Sequence, residues 1–147
     1  MWLGTFVKNQ KHMNIKLNLG LVLFLLLISL GCNSKPPLNE QEKSAIHLVK
    51  PIEFNEKSVN QVIIDIRTPQ EFSQGHIKGA VNINYFDSTF MDQIGKYDKS
   101  KPIFLYCRSG NRTSSASARV AKLGFGEIYD LQGGIMNWSR ENLQTIK

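Results

Sequence analysis

Only two cysteines, Cys32 and Cys107, occur in the 147 residues, which excludes a disulfide-dense scaffold and leaves at most one bridge. The three histidines, His12, His47 and His76, fall at no metal-ligand spacing with either cysteine, so no zinc site is expected. No internal repeat or low-complexity tract is present. A long hydrophobic run is also missing: the uncharged stretch Leu21 to Leu30 (LVLFLLLISL) is about half of the roughly 20 residues that a membrane-spanning helix needs. The excess of positive charge is smaller than the net +6 suggests. Three of the 18 basic residues, Lys8, Lys11 and Lys16, lie ahead of that run, where no acid occurs, and from Cys32 onward 15 basic residues face 12 acidic ones. That balance does not point to a nucleic-acid partner.

A short apolar core behind a lysine-bearing segment reads as a secretory signal rather than an anchor, so residues 1–31 are set apart from the fold. A start at Met13 gives this signal a more usual length. Cys32 follows the run at once, and the segment resembles a bacterial lipoprotein signal, in which that cysteine is lipidated and becomes the mature N-terminus. Ser29 and Leu30 depart from the residues most common there. The resemblance implies export to the periplasm or cell surface and a lipid anchor at Cys32; an ordinary cleaved signal and an uncleaved short anchor stay open. Residues 32–45 (NSKPPLNEQEKSA after Cys32) are polar with a Pro-Pro pair and read as a tether. Residues 46–147, with the apolar content of a globular chain, are enough for one domain.

In that domain five apolar runs alternate with amphipathic stretches: IHLV at 46, QVIIDI at 61, AVNI at 80, PIFLYC at 102 and EIYDL at 127, each followed by a helix-like segment. Runs such as VIIDI and IFLY are almost continuously apolar, as in strands covered on both faces. The expectation is an α/β fold with a parallel sheet and helices on both sides. Such sheets carry their functional loops at the carboxyl ends of strands, and Asp65, Arg67 and Cys107 all fall there.

Cys107 opens the loop CRSGNRT, which closes an apolar strand and leads into a helix expected from about Arg112. Nearby cations and a helix N-terminus can lower a cysteine pKa from about 8.5 to about 3.5–7.5. Arg108 and Arg112 supply the cations, while Gly110 and Asn111 tolerate the positive φ that turns successive N–H groups inward as an anion-binding nest. A nucleophilic thiolate and a buried core cysteine are both compatible with these residue types.

The runs VIIDIRTPQEFSQGHIKGAVNI, CRSGNRT and LQGGIMNW together resemble a single-domain rhodanese, of the sulfurtransferase family, over about 100 residues from Ile46 to Trp138. The resemblance implies a five-stranded parallel sheet with helices on both faces. It implies that Cys107 takes a sulfane sulfur from a small anionic donor such as thiosulfate and passes it, as a persulfide, to cyanide or a thiol, with no cofactor. Arg108, Ser109, Gly110, Asn111 and Arg112 would hold the donor and the persulfide, and Asp65 and Arg67 match the family's acidic and basic pair after the second strand. Taken as a residue alone, Asp65 reads as a strand-end acceptor of backbone hydrogen bonds, His76 as a structural hydrogen-bonding residue, Glu71 as a helix-surface or framework residue and Trp138 as core. Lys78, Asn84 and Ile135 depart from the family pattern at framework positions. A persulfide carrier or docking module is the alternative from another class. A cysteine phosphatase or arsenate reductase has a longer loop, whereas four residues separate Cys107 from Arg112.

Overall fold

The computed structural model describes residues 37–147, so the expected signal at 1–31, Met13 and Cys32 lie outside the described residues. Five strands, β1 (Ile46–Val49), β2 (Val62–Asp65), β3 (Val81–Asn82), β4 (Ile103–Tyr106) and β5 (Ile128–Leu131), pair in the order β1-β5-β4-β2-β3. Every pair is parallel. The helices are α1 (Glu40–Ser44), α2 (Pro51–Lys57), α3 (Pro69–Ser73), α4 (Phe90–Ile94), α5 (Asn111–Ala121) and α6 (Gly134–Arg140). Each of the five apolar runs is a strand, and each amphipathic stretch after it carries a helix. Among the described residues no helix is long and apolar enough to cross a membrane.

The central strands are apolar along their length because both faces are covered. Ile64 and Leu105 pack on one side with Phe90, Ile94, Ala116 and Val120, whereas Ile63, Phe104 and Tyr106 pack on the other with Phe54, Ile135 and Trp138. Successive strand side chains point to opposite faces, so Cys107, next but one after Leu105, falls on the α5 side. β1 is an edge strand and keeps Leu48 exposed.

The polar stretch 32–45 is in part not a tether. Asn39 caps α1 by accepting from the Glu42 amide at 2.8 Å, while the Glu42 carboxylate accepts from the Asn39 amide at 2.9 Å. Leu38 packs on the core and Ala45 is buried. The reason is local: the Asn-x-x-Glu capping box stabilises a helical turn, and a single leucine suffices to dock it, both hidden in an average composition.

Phe54 of α2 is fully buried and meets the rings of Phe104 and Trp138 edge-on, at centroid distances of 5.2 and 6.2 Å. Phe54→Ala should lower the stability of the folded domain by roughly 3–5 kcal/mol, because transfer and cavity terms add. Urea denaturation with an unchanged m-value would confirm it; a loss below about 1 kcal/mol would mean that this face of the sheet is not packed as described.

Candidate active site

Cys107 leaves β4 and is 1% exposed, with its sulfur at the base of a tight loop. The Gly110 amide donates to Sγ at 3.2 Å, and the Thr113 hydroxyl stands 3.9 Å from it. Gly110 adopts φ +91°, the left-handed conformation that turns its N–H back toward the sulfur and lets it serve as N-cap of α5. Ser109 and Asn111 line the outer side of the loop, and Asn111 already begins the helix.

A second turn grips the loop from below. The amides of Ile135 and Met136 donate to the carbonyls of Cys107 and Arg108 at 2.9 and 3.1 Å. This approach requires Gly134, which has φ +59° and whose missing Cβ would lie 2.5 Å from the Cys107 carbonyl oxygen. The glycine pair of LQGGIMNW thus shapes the backbone under the nucleophile, a role that the sequence does not reveal without the fold.

Arg112 does not point freely into the loop. Its guanidinium grips Glu71 through two bonds, Nη1 to Oε2 at 2.8 Å and Nη2 to Oε1 at 2.7 Å, and lies over the Phe86 ring. The bond to Glu71 raises the pKa of Arg112 further. Glu71, expected on a helix surface or in the framework, is the latter, a brace that ties α3 to the start of α5. It also closes the capping box of α3, accepting from the Thr68 amide at 3.1 Å while Thr68 accepts from the Glu71 amide at 3.2 Å. Thr68-x-x-Glu71 was a readable capping signal; its partner 41 residues away was not.

Asp65 and Arg67 bind each other. The Asp65 carboxylate is fully buried and accepts from Arg67 Nη2 at 2.6 Å, from Nε at 2.9 Å and from the Arg67 amide at 2.9 Å. Arg67 Nη2 also donates to the Gly75 carbonyl at 2.7 Å. Burial alone would lower the Arg67 pKa, but the Asp65 carboxylate outweighs it and the net direction is upward. The Asn82 amide group bonds both the Asp65 and Arg67 carbonyls, so the pair fastens the end of β2 to the beginning of β3. Neighbouring Tyr106 accepts from the Ile77 amide at 3.1 Å, and burial, with the Asp65 charge, pushes its hydroxyl pKa up. His76 is structural as expected: its ring stacks on Phe72 and its backbone pairs with Ile146. Trp138 is core.

Beside the loop lies a cleft of about 460 Å³ whose lining includes Arg67, Arg108, Arg140, Glu71 and Met136. Arg108 and Arg140 are exposed there, while Arg67 is already held by Asp65 and Glu71 by Arg112, a surrounding suited to a small anion.

Comparison with known proteins agrees with this geometry. The family model described as Rhodanese-like domain matches residues 47–141. The chain is 38% identical over 82 residues to a thiosulfate sulfurtransferase GlpE of Ectopseudomonas mendocina, covering 56% of this chain and 73% of that protein. It is 34% identical over 92 residues to thiosulfate sulfurtransferase 16, chloroplastic, of Arabidopsis thaliana, covering 56% and 77%. The solved structure of a rhodanese-related protein from Thermoplasma volcanium matches with a TM-score of 0.62 at 25% identity, covering 68% of this chain and 97% of that one. The chain belongs to the rhodanese-like domain family and is a sulfurtransferase.

The Glu71 brace has a pH signature. The Arg112 bonds hold its pKa at about 2, against 4.5 for a free glutamate. A carboxylate with a depressed pKa stabilises the fold fully above its unfolded value and loses that contribution as the pH falls through the folded one. Wild type should therefore exceed Glu71→Gln in stability by a constant margin above pH 4.5, and the margin should close as the pH approaches 2. Denaturation midpoints measured across that range check it; a margin independent of pH would contradict the assignment.

Proposed function

We propose that the chain transfers a sulfane sulfur from a small anionic donor such as thiosulfate to cyanide or a thiol, through a persulfide on Cys107. The observation that carries this is the Gly110 N–H aimed at Sγ at 3.2 Å, in a loop fixed by the Gly134 turn. A thiolate there attacks the outer sulfur of thiosulfate; the donor S–S bond breaks and sulfite leaves with its electron pair. Cyanide or a thiolate then attacks the outer sulfur of the persulfide, taking it as thiocyanate or as a new persulfide and returning the Cys107 thiolate. No net redox change and no added cofactor enter this ping-pong cycle. The arginine-rich cleft supports an anionic donor, with the exposed Arg108 and Arg140 on its wall and Arg112 serving to brace the loop.

Intact mass after adding thiosulfate, and again after cyanide, tests the chemistry. Gain of one sulfur by wild type but not by Cys107→Ser, reversed by cyanide, is expected. Loading by other persulfides but not by thiosulfate would favour the carrier reading, and no loading would overturn the proposal.

The chain is further proposed to work outside the cytoplasm, lipid-anchored through Cys32. Support comes from the sequence: the lysines, the apolar run Leu21 to Leu30 and the cysteine that follows it. Full-length protein should appear in the membrane fraction, and Cys32→Ala should shift it to the soluble or uncleaved precursor fraction. Equal lipid labelling of both forms would sink the anchor.

A further inference from the structure

The loop of Cys107 borders two clefts of different character. One is the arginine cleft already described. Beyond Ser109, Gly110 and Asn111 lies the other, of about 740 Å³, and among the described residues no lysine, arginine or histidine lines it. The charged residue in its lining is Asp130. Asp130 is 4% exposed, and its Oδ1 is buried without a hydrogen-bond partner. Ser117 of α5 lines the same cleft at 1% exposure, and its hydroxyl is likewise unpartnered. Two buried polar side chains in one cleft thus lack what Arg67 supplies to Asp65, and such groups are costly to leave unmatched. Asp130 lies in register with Leu48 of β1 and Leu105 of β4, so these side chains stand on one face of the sheet. Leu48 is 63% exposed, and an uncovered aliphatic surface therefore borders the carboxyl.

We propose that this cleft is a binding site for a small organic cation, a primary ammonium on a short aliphatic chain. An ammonium brings three N–H donors and no acceptor, so it answers the unpartnered Asp130 oxygen, the lone pairs of the Ser117 hydroxyl and the carboxylate charge together. The chain behind it lies along Ile46 and Leu48, with Ser114 and Gln132 on the polar side. Apolar walls with a few placed polar groups are the usual make-up of a small-molecule site. The two clefts share no lining residue, so this ligand does not compete with an anionic donor for the arginines.

Other ligand classes fit less well. An anion would meet the Asp130 carboxyl with no cation in the cleft to offset it. A neutral alcohol would leave the carboxylate charge uncompensated in a buried setting. A metal ion asks for more ligands: calcium takes about six to eight oxygens. No group of three or more His, Cys, Asp and Glu side chains able to hold one occurs among the described residues. Burial pushes the Asp130 pKa up to about 6, in keeping with a carboxyl that has no cation beside it. Ser109, Gly110 and Asn111 belong both to the cleft wall and to the turn around Sγ, so a ligand seated here touches the loop without entering the arginine cleft.

The test is a titration of the full-length protein with isopentylammonium, with isopentanol and isovalerate as the neutral and anionic counterparts, followed by backbone amide NMR shifts at neutral pH. Isopentylammonium should move the amides of Asn111, Ser114 and Gln132 in a saturable way, isopentanol should bind at least about ten-fold more weakly, and isovalerate should leave them in place. Asp130→Asn, almost unchanged in shape, should weaken the amine about ten-fold and erase its advantage over the alcohol. Ser114 is exposed on α5, and Ser114→Lys sets a cation at the cleft without touching the core. It should also suppress amine binding, which decides the matter where Asp130→Asn does not fold. Shifts that do not saturate, equal affinity for amine and alcohol, or wild-type affinity in a folded Asp130→Asn or in Ser114→Lys would overturn the proposal. Sulfur loading of Cys107 is read separately by mass, so the failure of either reading leaves the other standing.

Discussion

Two amide bonds carry the active loop. Ile135 and Met136, in the first turn of α6, donate to the carbonyls of Cys107 and Arg108, and only a residue without a Cβ at position 134 allows the two backbones so close. Everything distal follows from that contact. With the first two carbonyls fixed, the chain must turn at Gly110, whose positive φ directs its amide to the sulfur and starts α5. The sulfur is then held by main chain, which cannot rotate away as a side chain could. Such donors fixed before the reaction need no reorganisation when charge appears on the sulfur.

The charges around this loop are divided between bracing and binding. Arg112 and Glu71 join α5 to α3, and Arg67 and Asp65 join β2 to the segment before β3, so two arginines of the site spend their forks on carboxylates. Bidentate pairs of this kind fix orientation as well as energy. Arg108 and Arg140, both exposed, are left to meet an anion in the cleft. Replacing Arg112 would therefore act first through the shape of the loop.

The fold was largely legible because its signals are local. Continuous apolar runs at Val62 and Ile103 mark strands buried on two faces, and β–α alternation then leaves few arrangements besides a parallel sheet. Cys107, Gly110 and the strand-end position of Asp65 could be read in the same way. What could not be read was long-range. Glu71 advertises a capping box with Thr68, and nothing nearby announces Arg112; Asp130 looks like any polar residue late in a strand until α5 is seen to lie across it. The helix at Glu40–Ser44 was missed for a different reason: an average over a polar stretch conceals one cap and one well-placed leucine.

The two buried aspartates differ in how the core satisfies them. Asp65 sits at the end of β2 with a guanidinium, a backbone amide and full burial, an arrangement in which removing either partner strands a charge. Asp130 sits one strand beyond β4, buried, with no hydrogen-bond partner at Oδ1. A group satisfied from all sides works as a fastener. A carboxyl left partly unsatisfied in the core is costly when ionised, and burial accordingly raises the Asp130 pKa to about 6.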